Sequence, residues 1–387
     1  MADNKDKKVL NVPALRFPEF TGEWKEERLD EIAELSKGVG ISKEQLSEDG
    51  EPCILYGELY TKYKSEIIHK VISKTNIESS NLKHSKRNDV IIPCSGETAI
   101  DIAVARCVPF DNILLGGDLN IIRLHKDDGA FMAYQLNGKR KIDIAKLAQG
   151  VSVVHLYGDN IKAIKTYNPC LQEQQKIVKL LSMLDERMEL QNKIIEDLRL
   201  LRDAISVCLL SPKSDWKCYK VSEIADIGRG RVISSKEIAN QNNPRYPVYS
   251  SQTSNEGIMG YLDDYAFDGE YITWTTDGAN AGTVFYRNGR FNCTNVCGTL
   301  KLHYQFDAYY CSLVLANATK KYVSVNLANP KLMNNTMAAI KLYLPPFQEQ
   351  KRMPQLFRKM DENITLEHKL LLSYQKQKYY LLQQMFI

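Results

Sequence analysis

The chain repeats itself, and the repeat limits what it can fold into. "NPCLQEQQKIVKLLSMLDE" at 168–186 returns as "LPPFQEQKRMPQLFRKMDE" at 344–362, an offset of 176. The match starts earlier, where "AIKTY" (163–167) aligns with "AIKLY" (339–343). A second match opens each half: "WKEERLDEIAELSKG" (24–38) resembles "WKCYKVSEIADIGRG" (216–230) at an offset of 192. The offsets differ by 16, so the first half carries 16 more residues in its middle. The middles themselves barely match, "CSGETAIDIAVARCV" (94–108) in one and "TTDGANAGTVFYRNG" (275–289) in the other. A duplicated frame with diverged contents reads as a common scaffold around two sites of different specificity.

Each half ends in a long helical pattern. Steps of seven from Ile177 and Leu181 give Ile177, Leu184, Gln191, Leu198 and Ile205, and Leu181, Met188, Ile195, Arg202 and Leu209. The same steps 176 residues on give Met353, Met360, Glu367, Tyr374 and Leu381, and Phe357, Ile364, Leu371, Lys378 and Met385. Eight of ten positions are apolar in each helix, and the polar breaks fall at matching places, Gln191 with Glu367 and Arg202 with Lys378. That is an a/d seam at coiled-coil spacing. Two helices of nearly 40 residues would each run about 60 Å, the length of a strut. The spans expected are 172–210 and 347–386. Pro354 breaks the second pattern near its start, where a proline costs least but can kink the helix. Pro212 ends the first helix, and "SPKSD" (211–215) is a short link to the second half.

Composition sets broad limits. The 387 residues, 44% hydrophobic and 25% charged, suit a soluble chain of two or three domains. No apolar run reaches the roughly 18 residues that would span a bilayer. The opening "MADNKDKKVL" lacks the apolar stretch of a secretory signal, so a cytoplasmic protein is expected. Nine scattered cysteines with no CxxC fit a reduced compartment. The nearest approach to a metal cluster, Cys293, Cys297, His303 and Cys311, lacks paired ligands of zinc spacing and reads as buried thiols.

Catalytic marks fail on stated requirements. "LPPF" at 344–347 resembles the loop with which amino-methyltransferases accept from an exocyclic amine, but Leu344 has no acceptor; the aligned "YNPC" has Cys170 where an aromatic is needed. There is no GxxxxGK[ST] phosphate loop, no glycine-rich cofactor turn, and no Ser-His-Asp or Cys-His set. The acids of "PEFTGEWK" (18–25) lie too close together for the paired strands of a nuclease site.

The net charge of +4 neither requires nor excludes nucleic acid, but cations cluster at 83–87, 139–141, 229–231 and 320–321. Lys139, Arg140, Lys320 and Lys321 precede the second scaffold segment of each half and are candidates for phosphate contact. The glycine-rich "SKGVGISKEQ" (36–45) and "GRGRVISSKEI" (228–238) put Lys37, Arg229 and Arg231 where backbone can approach a partner. Ser95, Glu97 and Thr98 in the first half, and Gln252, Asn255, Thr276 and Asn280 in the second, sit in polar stretches whose side chains could bond to base edges. The same stretches also suit turn-rich hairpins that use Ser and Asn for local backbone bonds.

These features together resemble the specificity subunits of type I restriction–modification systems. The paired Pro-x-x-Gln-Glu-Gln helix starts, the Trp-Lys openings and "GANAGTVFYRNGRFNCTNVCGTL" (278–300) carry the resemblance, which covers nearly the whole chain. It implies an α+β fold of two pseudo-repeated target-recognition domains joined by two long helices in an antiparallel coiled coil. It also implies that each domain reads one half of a bipartite site in double-stranded DNA, and that the subunit does no chemistry. Two methyltransferase subunits and two motor-nuclease subunits would be its partners. S-adenosylmethionine, ATP and Mg2+ would belong to them, leaving this chain without a cofactor. The expected division is an extension at 1–23, a recognition domain at 24–169, a spacer helix at 170–210, a linker at 211–215, a recognition domain at 216–345 and a spacer helix at 346–387. Other readings of the same residues are the specificity subunit of a fused methylase–nuclease, a methyltransferase with degenerate motifs, and a protein scaffold with no role on DNA.

Overall fold

The computed structural model describes residues 10–150, 153–324 and 329–387. The chain forms two compact units: one holds the described residues through Lys193 together with His368–Ile387, the other Ile194–Glu367. The divide therefore falls inside both long helices, Leu171–Leu209 and Phe347–Gln384. Each compact unit includes, besides one of the stretches 24–169 and 216–345, parts of both helices.

The two matched segments of each half turn out to be partners in a ladder. Lys25–Arg28 pairs antiparallel with Lys165–Asn168, and Lys217–Lys220 with Lys341–Leu344. Lys25 faces Asn168 as Lys217 faces Leu344, so both offsets are kept across the pair. A one-turn helix follows each opening strand, Leu29–Ile32 and Val221–Ile224. Its first N–H donates to the "AIK" segment in each half, Leu29 to Ile164 O and Val221 to Ile340 O, both at 3.0 Å. The domain thus closes where it begins, and the long helix leaves from the closing strand.

Inside this closure each unit holds a four-stranded sheet of the same strand order. In the first the order is Ala33–Lys37, Leu119–Leu124, Asp89–Pro93 and Arg106–Val108; in the second it is Ala225–Arg229, Cys297–Leu302, Tyr271–Thr275 and Val284–Arg287. Every pairing is antiparallel. Near-continuous apolar runs such as "DVIIP" and "YITWT" form strands buried at nearly every position. A helix packs beside each sheet, Gly129–Asn137 or Ala308–Ala318, started by an aspartate that accepts from the third N–H beyond it: Asp128 from Phe131 and Asp307 from Tyr310. The extra residues of the first half build a five-stranded second sheet, where the second half has three strands.

The last glutamine of each Pro-x-x-Gln-Glu-Gln motif is buried and ties the long helix to its domain. Gln174 donates to Pro169 O (3.0 Å) and accepts from the N–H of Asp128 (2.8 Å); Gln350 donates to Pro345 O (2.8 Å) and accepts from that of Asp307 (3.1 Å). One side chain therefore satisfies groups at the starts of two helices at once. The opening tryptophans fill the cores. Trp24 stacks edge-on to Phe131 and Phe386, with centroids 5.7 and 6.4 Å away, and Trp216 is buried among Leu344, Phe357 and Tyr310. The extension is no separate arm. Leu15 N–H donates to Gln384 O and Arg16 clamps the carboxylate of Glu173, both bonds within the first unit. Residues 1–9 of it lie outside the described residues.

Every seam position expected on the helices is at least half-buried. Ile177, Leu181, Leu184, Ile195, Phe357 and Leu371 are buried; Met188, Leu198, Met360, Ile364 and Tyr374 are partly so. Off the seam, Leu190, Leu200, Leu366 and Leu372 are exposed. Within each unit the helices run antiparallel, Asp185 meeting Lys378 in one and Asp361 meeting Arg202 in the other. The second helix is unbroken through Pro354, which lies two turns in and leaves the Gln350 carbonyl without its usual helical donor.

The two basic breaks of the seam, Arg202 and Lys378, form ion pairs. Lys378 Nζ lies 2.5 Å from Asp185 and also meets Glu66, with side chains only 11%, 3% and 8% exposed. Arg202 Nε lies 2.5 Å from Asp361, with 25% and 40% exposure. Each aspartate, the last-but-one residue of "LDE" or "MDE", also accepts a tyrosine hydroxyl from the helix beside the sheet, Tyr134 or Tyr309, at 2.7 Å. Burial and the neighbouring carboxylate push both phenols well above the usual tyrosine range.

Removing one partner of a buried pair strands the other and costs about 3–5 kcal/mol, whereas an exposed pair contributes about 1 kcal/mol or less. Asp185→Ala is therefore expected to lower the stability of the purified chain several-fold more than Asp361→Ala, measured by urea unfolding of both variants. Equal losses would mean that burial does not set the difference.

Candidate nucleic-acid interface

The sequence candidates of the second unit fall in two places. Arg229 ends the edge strand of the four-stranded sheet, and Thr276 and Asp277 follow the central strand at the same end. The Arg229 guanidinium donates to Asn295 O (2.6 Å) and to Thr276 Oγ1 (3.0 Å), and lies 3.4 Å from Asp277 Oδ2. Thr276, fully buried, donates in turn to Asp277. Lys331 approaches the other oxygen of Asp277 at 3.5 Å.

Asn280 and Lys320 instead line a cleft of about 820 Å³, bounded by Phe285, Tyr309 and Asn317. Asn280 shapes its own turn, its carbonyl accepting from Thr283 N–H (3.1 Å) and Oγ1 (2.8 Å), while its amide lies 3.5 Å from Ser251 O. Gln252 donates to Ile258 O and so braces the 254–257 turn, where Asn255 and Glu256 take φ of 49° and 53°. Such left-handed residues cost about 1 kcal/mol each and need support. Arg287, which the sequence did not single out, supplies some of it. Its guanidinium stacks on Tyr249 with 3.6 Å to the ring centroid and donates to Glu256 O at 2.7 Å. Burial lowers the pKa of Arg287 below the ordinary guanidinium value, partly offset by Tyr249 and Glu256. Arg231 is committed locally to Glu237, with Nη2 to Oε1 at 2.5 Å. Lys320 and Lys321 are exposed on the short turn Thr319–Lys321.

In the first unit, Lys37 ends the matching edge strand with its ammonium 6.0 Å from the ring of Tyr157. Ser95 follows the central strand, pairs with His155 and donates to Asp118 Oδ2 at 3.1 Å. His155 stacks on Tyr157, centroids 6.2 Å apart, and both are exposed. Thr98 caps the short helix Ala99–Ile102 by accepting from Asp101 N–H, and Glu97 is exposed beside it. Lys139 and Arg140 are elsewhere. Arg140 donates to the main-chain oxygen of Ile387 (2.8 Å), pairs with Asp143 (3.2 Å) and lies over Tyr167 (5.6 Å). These contacts make it a tie to the chain end rather than a free cation.

Among the described residues no group of three or more His, Cys, Asp and Glu is placed to hold a metal ion. Cys293, Cys297 and Cys311 are buried, and burial raises all three thiols, Cys297 to about 11. His303 is partly exposed, 3.6 Å from Asp226. No helix of the described residues is long and apolar enough to cross a membrane.

A family model described as "Type I restriction modification DNA specificity domain" matches twice, over residues 21–200 and 213–384. Relatives from Mycoplasma pneumoniae include a protein named as a type I specificity subunit N-terminus, 50% identical over 128 residues, covering 33% of this chain and 67% of that one. The specificity subunit of the type I restriction enzyme MpnII is 42% identical over 139 residues, or 35% of this chain and 41% of its own length. Among solved structures, the S subunit of a type I restriction–modification system from M. genitalium matches with a TM-score of 0.63 at 20% identity, covering 97% of this chain and 99% of that one. A chain from a structure of type I complex assembly and conformational transition matches at 0.58 and 15%, covering 94% and 97%. At those identities the likeness is one of fold.

The free and the committed cations separate by experiment. Lys320→Ala is expected to lower the slope of log affinity against log salt by about one unit on any duplex, whereas Arg140→Ala leaves the slope unchanged and lowers stability. Equal slopes for Lys320→Ala and the parent would remove Lys320 from the phosphate-contacting set.

Proposed function

The chain belongs to the type I restriction modification DNA specificity family, with two such domains in tandem, and on that premise we propose that it is the non-catalytic subunit that gives a restriction–modification complex its DNA sequence. Each domain binds one half of an asymmetric, bipartite site in double-stranded DNA. The observation that carries this reading is the shared sheet with unlike side chains at one end: Lys37 and Ser95 in the first domain, Arg229, Thr276 and Asp277 in the second. Identical frames hold those groups at equivalent points, so the two domains differ in what they present and not in how they present it.

The division of labour follows. Two methyltransferase subunits and two motor-nuclease subunits carry the chemistry in the cytoplasm, and S-adenosylmethionine, ATP and Mg2+ bind to them. This chain contributes donors and acceptors for base edges and cations such as Lys320 and Lys321 for phosphates. Leu344, standing where an amine-accepting group would be required, supports a chain that transfers no methyl group itself. Leu344 is buried in the core of its domain.

Exchange of residues 216–345 for the corresponding domain of a relative is expected to change one half of the methylated motif in cells and leave the other intact. The purified chain alone is expected to transfer no labelled methyl group to DNA. A change in both halves would show that the domains do not read independently, and methyl transfer by the lone chain would overturn the non-catalytic assignment.

A further inference from the structure

Three backbone positions recur at the same end of both four-stranded sheets. Lys37 and Arg229 end the edge strand, facing Asn120 and Gly298 across the ladder. Ser95 and Asp277 lie two residues past the central strand. His155 and Lys331 face them in turn, Ser95 paired with His155 and Asp277 bridged to Lys331. The next residue fixes the equivalence: Leu156 N–H donates to Cys94 O (2.7 Å), and Leu332 N–H to Thr276 O (2.9 Å). Both leucines are buried. The residue after the edge strand is anchored alike, Gly38 N–H to Leu119 O and Gly230 N–H to Cys297 O. Backbone and core are thus held in common while the side chains at the three positions are not; in the first domain Ser95 is buried against Asp118, and Lys37 and His155 are exposed. The three are Lys, Ser and His in one domain and Arg, Asp and Lys in the other.

We propose that this end of the sheet is the base-contacting site of each domain, through Lys37 and His155 in the first, and that Arg229, Asp277 and Lys331 in the second read an A·T pair through the major groove. The proposal rests on the DNA-specificity reading above. Its chemistry follows from order. Asp277 has one cation on each oxygen, Arg229 at 3.4 Å and Lys331 at 3.5 Å. These are long ion pairs between partly exposed side chains, so the cations keep free donors; Oδ2 also accepts from the Thr276 hydroxyl at 2.6 Å, and Oδ1 is the oxygen that keeps acceptor capacity. The set presents donor, acceptor, donor. In the major groove an A·T pair offers acceptor, donor, acceptor: adenine N7, the adenine amine and thymine O4. A G·C pair offers two acceptors followed by a donor and fits the order less well. Thr276 and Asn295 orient the guanidinium from behind. In the first domain the exposed His155–Tyr157 stack stands at the matching place, beside Lys37, so the first half-site is read by an imidazole where the second uses an ammonium.

The test uses the complete methyltransferase complex, with the motif read by methylome sequencing of cells and by methylation of defined duplexes. Asp277→Asn and Lys331→Met are each expected to reduce discrimination at least tenfold at one A·T position of the half-site assigned to the second domain, leaving the other half unchanged. His155→Ala is expected to act only on the first domain's half-site. A motif unchanged in all three variants overturns the proposal, as does relaxation at a G·C position, or equal losses in both halves with an unaltered melting temperature. Should Asp277→Asn melt early, the exposed Lys331 and His155 variants decide. A complex with the unmodified chain that methylates no bipartite site would overturn the proposed function itself, a different result from a normal motif that ignores these residues.

Discussion

Everything in each domain hangs on one antiparallel contact, that between its first strand and its last. Lys25–Arg28 lies against Lys165–Asn168, and Lys217–Lys220 against Lys341–Leu344. A chain that begins and ends on one ladder returns to its starting point whatever lies between. The intervening loop can then lengthen by 16 residues, as it does in the first half, at a small entropic cost, because loop closure grows only with the logarithm of length. The closing strand also aims the long helix, and the buried glutamine in that helix's first turn binds it to the one beside the sheet. Constancy at the ends and freedom in the middle are therefore one property of the fold.

The frame was legible in the sequence for that reason. Ladder partners, core tryptophans and helix-tying glutamines admit few substitutes, so they survive duplication as visible matches. What the matches could not say was that the opening and closing segments touch, since each appeared at its own offset. The seam was legible too, apart from the meaning of its interruptions. Arg202 and Lys378 look like flaws in an apolar stripe, and only their placement opposite Asp361 and Asp185 makes them its electrostatic fasteners. The tyrosines that complete these sites are not at equivalent positions: Tyr134 lies six residues beyond its cap and Tyr309 two beyond its own. A hydroxyl from either turn of a helix can reach the same carboxylate, and no alignment of the halves would have paired them.

The site was harder to read, and the reason is physical. Polar residues in turns serve the backbone as readily as a ligand. Thr98, Gln252 and Asn280 all make such local bonds, and Arg231 and Arg140 are held by carboxylates or main chain. A residue type says what a side chain could bond to, while geometry says whether its capacity is already spent. The residues the sequence passed over, Asp277, Lys331 and His155, had a usable signal. His155 and Lys331 stand 176 apart, the offset of the closing frame, in stretches that otherwise share little.

The packing of the sheet explains why the proposed recognition groups stand at one end of it. Side chains in its middle alternate into a packed core, where any change of volume disturbs the neighbours. The strand ends have backbone fixed by the ladder, so the exposed Lys37 and Arg229 can be exchanged without moving the frame. Leu156 and Leu332 sit next to the variable positions and are buried, which holds the backbone at His155 and Lys331 to a fraction of the freedom a loop would have. A reading group needs that restraint, because discrimination between base edges requires donors and acceptors held in place before contact. The fold thus confines change to side chains whose direction is already set, and two copies of one frame can carry two unlike readings.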